Sequence, residues 1–528
     1  MATTADYAHP TTEVNPWLIA VTVMLATFME VLDTSVANVS LPHIAGSLSA
    51  SVDESTWVLT SYLVSNAIVL PLSGWLSGVF GRKRFFIACV VIFTISSLLC
   101  GLAPSLTTLV ICRVLQGAGG GGMQPSSQAI LVDSFPREKQ GMAMAIYGMG
   151  VVIAPTVGPT LGGWITDNYS WRWIFFLNVP IGVISVLMIS LLIASDRPSG
   201  ELREKNRGIK VDFIGLGFLG LGLGLLQVVL DKGERDDWFG SPFITWATVV
   251  VVISLIALVI REFTTDHPVV ELRLFRDRNF AISTFMMYTL GVVLYGTTLL
   301  LPILMQTLMG YTAMQSGLVL LPGGLVLLGI LPFVGWLLGR VEHRWVVMAG
   351  LCIMALGLYQ LSHLTLAAGI NRAIYAWIIS RAGTAFLFVP INVMAFYFVP
   401  KGNMDDASGL INLARNVGAS TGISFVTTML DRRAQIHQNI LAHNMQGGST
   451  MYRSALNHLT HIFTARGSNA AHAAIQAHAV LYQQLQRQAN MLSFVDNFRT
   501  MAIICVCVIP LMFVMKGRKP QAEQIRVH

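Results

Sequence analysis

The sequence predicts an all-α, polytopic membrane fold: two six-helix bundles with two further helices inserted between them. Composition, span length and an internal repeat carry that expectation. Of 528 residues, 54% are hydrophobic and 12% charged, and the mean hydropathy is +0.63, which leaves too little polar surface for a soluble globule. A helix needs about 20 apolar residues to cross about 30 Å of hydrocarbon. Fourteen such runs occur, near 17–38, 56–77, 85–104, 107–131, 141–165, 173–194, 213–230, 243–262, 280–305, 314–338, 345–366, 373–398, 406–430 and 495–515. LPLSGWL at Leu70–Leu76 returns as LPFVGWL at Leu331–Leu337, and Leu41-Pro42 returns as Leu301-Pro302. Two landmarks that share almost one offset argue for a duplicated bundle.

Residues 1–16 are a polar tail without Lys or Arg, and no signal-peptide cleavage site follows, so the first span is expected to stay in the mature chain. The first bundle then takes 17–194, the inserted pair with its linkers 195–279, and the second bundle 280–515, followed by a tail at 516–528. With both termini in the cytoplasm, 21 of the 34 Lys and Arg residues fall in short cytoplasmic segments and four in short outer loops. The positive-inside rule demands this asymmetry, so the net charge of +7 reads as membrane topology and not as a nucleic-acid surface. All six cysteines fall inside expected spans, and neither a disulfide framework nor a zinc site is expected.

The long outer loop, 431–494, carries Ile475, Tyr482 and Ala489 at seven-residue spacing beside Leu485 and Leu492. This amphipathic stripe suits either a cap on the bundle or a docking helix for a partner. His458 and His461 form an i, i+3 pair without a nearby acid or Cys, and no metal site is expected.

Parallel six-helix repeats are the architecture of secondary transporters that rock two halves about a midplane cavity. The chemistry such a machine needs begins in the first span, where Glu30 and Asp33 sit three apart on one helical face. A charge in a bilayer span costs at least about 2.5 kcal/mol unless paired, hydrated or protonated. Asp33 and Arg113 of the fourth span are both expected roughly 10 Å below the outer surface, by the 1.5 Å rise per residue. They can therefore meet. An acid beside Arg stays ionised, and one that loses its Arg in a dry cavity takes a proton, so alternation couples protonation to conformation. Asp33 is the candidate carrier, with Glu30 as a relay or cation-attracting group; the alternative is a permanent structural pair.

Gly74, Gly81 and Arg82 belong to the stretch GWLSGVFGRKR at Gly74–Arg84. There, small residues allow close helix approach and basic residues meet lipid headgroups or helix C-terminal carbonyls. A tight positive-inside loop would read the same way. Gly150, Pro155, Gly158, Pro159, Gly162 and Gly163 make the fifth span a helix able to bend and to pack at backbone distance, a candidate gate. Gly117 and Gly119–Gly122 do the same beside Arg113, and lack the Lys and Ser/Thr of a phosphate loop.

Together these stretches resemble the major facilitator superfamily, and within it the fourteen-span drug:proton antiporters of the EmrB and QacA type. LDTSVANVSLP from Leu32 is similar to that family's first-span signature, and GMGVVIAPTVGPTLGG to its antiporter motif. The Gly74–Arg84 stretch matches the superfamily's loop motif, except that Gly78 stands where an acid is expected. WRWIFFLNVPIG, LFRDRNF and the long last loop are most similar to the EmrB branch, where an uncharged residue often replaces Glu30. The resemblance implies a bacterial inner-membrane exporter of lipophilic compounds that uses protons, no cofactor, a periplasmic membrane-fusion adaptor and an outer-membrane channel. It also places a substrate cavity between the halves, with Tyr62, Asn66, Gln116, Gln128, Asn392, Asn412, Arg415 and Asn416 as candidate lining groups. Each amide is equally suited to interhelical packing. A proton-coupled importer is the alternative on the same fold. An enzyme is not expected, because the spans offer no cluster of His, Cys or Ser with acids at one depth.

Overall fold

A computed structural model describes residues 15–136, 139–193, 212–265, 268–366, 368–397, 399–444 and 450–515. The two expected tails, apart from Asn15 and Pro16, and the linker residues 195–211 lie outside the described residues, within which all regular structure is helical.

The first bundle contains α1 (Pro16–Ser47), α2 (Trp57–Phe80), α3 (Arg82–Leu102), α4 (Leu106–Gly121 continued by Met123–Ser134), α5 (Gln140–Asn168) and α6 (Trp173–Phe176 continued by Asn178–Leu192). Local chemistry sets their ends. Asn15 caps α1 by accepting from Trp17 N at 3.0 Å, with Pro16 in the first turn where no N–H is needed. Gly81, at φ +85°, stops α2 and turns the chain into α3, a conformation that L side chains resist. The inserted pair is α7 (Phe213–Lys232), capped by Asp212, and α8 (Pro242–Thr264). The second bundle contains α9 (Arg278–Thr307), α10 (Ala313–Leu337), α11 (His343–Leu361), α12 (Ile370–Phe396), α13 (Met404–Asn444) and α15 (Ala470–Val508), with α14 (Thr450–Ala465) between the last two.

Among the described residues eleven helices, α1–α3, α6–α12 and α15, are long and apolar enough to cross a membrane. The two arms of α5, bent by 41° between Pro155 and Val157, make a twelfth span when taken together. Where the fourth and thirteenth spans are expected, α4 and α13 are too polar to meet that measure. Both present their polar side chains, Arg113, Gln116, Gln124 and Gln128 on α4 and Asn412 and Arg415 on α13, to the protein interior. By contrast α8 turns Val252, Ile253, Ile256, Val259 and Ile260 outward, as a lipid-facing helix should.

The repeat seen in the sequence falls on corresponding helices: Leu70-Pro71 lies in α2 and Leu331-Pro332 in α10. The halves meet along two seams, α5 against α10 and α2 against α13, and α7 packs against both α2 and α13. Gln227 of α7 donates to Ser420 Oγ at 2.6 Å, and Thr60 of α2 bonds Asp231 of α7.

Much of the long loop is not separate from the bundle. At 41 and 39 residues, α13 and α15 are each about 60 Å long by rise, about twice the hydrocarbon thickness. They project beyond it as an antiparallel pair, with α14 against α15. Ala473, Ala477, Leu481, Leu485 and Ala489 are buried, whereas Ile475 and Tyr482 are 65% and 52% exposed. Leu485 and Ala489 of the expected stripe thus lie in the packed seam, and Ile475 and Tyr482 do not. The buried run is rich in Ala, which lets the neighbouring helices come close.

Candidate functional site

Asp33 lies on the face of α1 that meets α4 and α6. Its Oδ2 accepts from Arg113 Nη1 at 2.5 Å, and its Oδ1 from Gln116 Nε2 at 3.0 Å and Asn178 Nδ2 at 2.7 Å. Arg113 also donates to Gln116 Oε1 at 2.7 Å and to the Val58 carbonyl at 2.9 Å. Its guanidinium sits 4.3 Å from the centre of the Tyr62 ring. The paired side chains are 0% and 1% exposed. Loss of one member of such a pair leaves an uncompensated buried charge, at a cost of about 3–5 kcal/mol. Every partner of Asp33 named here belongs to the first half.

Glu30, one turn away, is held differently. Its carboxylate accepts from Gln124 Nε2 at 2.6 Å, Asn66 Nδ2 at 3.2 Å and Tyr62 Oη at 3.4 Å. Two of these partners lead across the seam. Arg415 of α13 donates to Gln124 Oε1, and Asn416 of α13 donates to Asn66 Oδ1 at 3.3 Å. Tyr62, Asn66, Arg415 and Asn416 thus share one cluster, whereas Gln116 is turned into the Asp33 cluster.

Below this level, towards the Arg82 end of the bundle, Gln128 of α4 donates to Asn392 Oδ1 at 3.2 Å and accepts from Ser408 Oγ at 2.6 Å and Asn412 Nδ2 at 2.8 Å. All four side chains are buried. This layer of amides joins the halves where nothing larger than a hydrogen bond separates them. At the end itself, Arg82 donates through Nε and Nη2 to Asp405 of α13, at 2.9 and 2.7 Å to Oδ2, and through Nη1 to Asp133 of α4. Asp405 sits in the first turn of α13, where the helix dipole favours an acid. Gly74 leaves the notch that Asp406 fills: a Cβ there would lie 1.7 Å from Asp406 Oδ1. On the other seam Gly141 and Gly335 pack backbone to backbone, each at 3.0–3.1 Å from the other's carbonyl oxygen when given a Cβ.

Two halves joined by a polar layer and a charged latch at one end, with buried acids between the helices, match the repeat architecture of secondary transporters. Comparison with known proteins agrees. The family model described as Major Facilitator Superfamily matches residues 23–423. The chain belongs to the major facilitator superfamily. The transporter is 39% identical to the "Multidrug export protein EmrB" of Haemophilus influenzae over 81% of its own length and 83% of that protein. It is 34% identical to the "Fatty acid resistance protein FarB" of Neisseria gonorrhoeae over 93% and 94%. Among solved structures it resembles the proton:xylose symporter XylE at a TM-score of 0.62 and 15% identity, covering 96% of this chain and 97% of that one. It is a multi-pass inner-membrane protein and not an enzyme.

In this transporter the Gly/Pro motif of α5 packs within the first half. A Cβ at Gly150, Gly158 or Gly162 would meet Met24, Ser35 or Val36 of α1, whereas Gly163 has only Val39 at 4.0 Å. Ser35 Oγ donates at 3.5 Å to the Pro155 carbonyl, the acceptor that Pro159 has no N–H to reach. The motif therefore bends α5 and seats it against the helix that carries both acids.

Residues not singled out beforehand complete the clusters: Gln124, Asn178, Ser408, Asp133 and Asp405. A polar residue in an otherwise apolar run was the available signal for Gln124 and Asn178. Arg381 of α12 is buried with no ion pair among the described residues. It stacks 3.7 Å from the Trp377 ring centre and donates to Thr298 Oγ1 at 2.8 Å.

Proposed function

We propose that this transporter exports amphipathic drugs or other lipophilic toxic compounds across the inner membrane in exchange for protons. In this reading it has fourteen spans and cytoplasmic termini, and it hands its substrate to a periplasmic adaptor and an outer-membrane channel. The observation that carries the proton-coupling part is the Asp33–Arg113 pair, ionisable, fully buried and caged by amides in a chain that belongs to a transporter superfamily. Relatives named for multidrug export and fatty acid resistance support the substrate class.

In the cycle, Asp33 stays ionised while Arg113 is beside it and takes a proton when that partner is withdrawn. Glu30 attracts the cationic part of a substrate or the incoming proton, and the two compete. The Arg82–Asp405 latch and the Gln128 layer close one face while the other admits protons and releases substrate. The bent α5 transmits movement to α1. One elementary charge moving through about 150 mV supplies roughly 3.5 kcal/mol, enough for a ratio of a few hundredfold at one proton per substrate.

Purified protein in liposomes with an imposed pH gradient tests the reading. A lipophilic cation moving against its gradient, opposite to the proton flow, is the expected result. Accumulation in the same direction as the protons would make the protein an importer, and flux indifferent to the gradient would remove proton coupling.

A further inference from the structure

The two buried acids of α1 differ in where their opposite charges reside. Asp33 pairs with Arg113 of its own half, and its other donors, Gln116 and Asn178, are there as well. None of these contacts crosses the seam between the halves. The cation nearest Glu30 across the seam is Arg415, reached through one amide: Gln124 donates to Glu30 Oε2 and accepts from Arg415 Nη2. Asn66 makes a second bridge of the same design, donating to Glu30 and accepting from Asn416.

We propose that Glu30 is a second proton-exchanging carboxylate, and that its protonation is linked to the parting of the halves. This rests on the proton-exchange reading above. While Glu30 is ionised, the Glu30–Gln124–Arg415 chain holds α1 and α4 to α13 at mid-depth, on the side closed by the Arg82 latch. A proton from water that reaches Glu30 forms the neutral acid and cancels the attraction to Arg415, so the seam separates at lower cost. A cationic substrate that enters the opened site favours the carboxylate and expels the proton. The other titratable or charged groups around Glu30 are Tyr62 on α2, Arg113 on α4, Tyr147 on α5 and Asp33 on α1 itself. Arg113 is already neutralised by Asp33. The tyrosines do not ionise in the working range, which leaves Arg415 as the unmatched charge.

The test is the distance between spin labels on the Arg82 ends of α2 and α10, one in each half, in full-length protein in lipid nanodiscs between pH 5 and 9. In the parent protein, lower pH is expected to populate the longer distance. Glu30→Gln, nearly the same shape, should abolish that titration, and Gln124→Leu, which keeps both charges and removes the bridge, should move its midpoint by half a pH unit or more. A Glu30→Gln protein that titrates like the parent, or a parent distance that ignores pH, would each overturn the proposal. Should Glu30→Gln fail to fold, an unmoved midpoint in Gln124→Leu would overturn it. Failure of the underlying antiport reading shows separately, as drug flux in liposomes that does not respond to a pH gradient.

Discussion

Arg82 and Asp405 lie 323 positions apart in the chain and close one end of the molecule, Nε donating to Oδ1 at 3.2 Å and Nη2 to Oδ2 at 2.7 Å. Bidentate Arg–carboxylate pairs are among the stronger polar contacts in proteins and are specific in direction. The superfamily's loop motif places an acid where this chain has Gly78. Here the acids that engage the basic cluster come from α4 and α13, so the charge that joins the halves is supplied by the opposite half.

Asp405→Asn removes that charge and leaves Arg82 with Asp133 alone. The closed state of this end should lose population by tenfold or more, equivalent to about 1.4 kcal/mol. Reaction of a cysteine placed at Ser408, buried in the amide layer between the halves, with a water-soluble maleimide measures this. Labelling several-fold faster than in the Ser408→Cys parent is expected.

Gly409 lets α13 approach α2 so closely that an added Cβ would lie 2.6 Å from the Leu70 carbonyl oxygen. Gly409→Ala forces backbone apart, because no side chain can rotate away. The expected outcome is normal membrane insertion and a transport rate at least tenfold below the parent in vesicles, whereas Gly46→Ala, where a Cβ meets open space, should transport normally.

Arg381 gives a prediction of opposite sign. A buried cation without an acid is costly, and replacement of buried charge by apolar side chains is often stabilising by about 1–4 kcal/mol. Thr297 and Thr298 already bond the Val293 and Leu294 carbonyls, so removal of Arg381 strands no hydroxyl. Arg381→Met should therefore raise the unfolding midpoint of detergent-solubilised protein. A lowered midpoint would show that the Trp377 stack and the Thr298 bond outweigh the desolvation of the charge.

The helical class and most spans were legible in the sequence because the bilayer imposes a length and a polarity on every helix, and such constraints are local. The meeting of Asp33 with Arg113 was legible for a related reason: equal depth on two spans can be counted in residues. The partners of Glu30 were not, since Gln124 and Arg415 lie 291 positions apart and only the docking of the halves brings them together. The start of the α15 seam was not legible for a third reason: a heptad of Ile475 and Tyr482 is conspicuous in hydropathy, whereas Ala473 and Ala477 pack by being small.

The central claim is that Asp33 carries a coupled proton, and the most direct measurement is the number of protons released per drug molecule bound by detergent-solubilised protein in weak buffer. Asp33→Asn should release one proton fewer than the parent at saturating drug. Release equal to the parent, with drug affinity retained, would contradict the account and leave the Asp33–Arg113 pair a structural one.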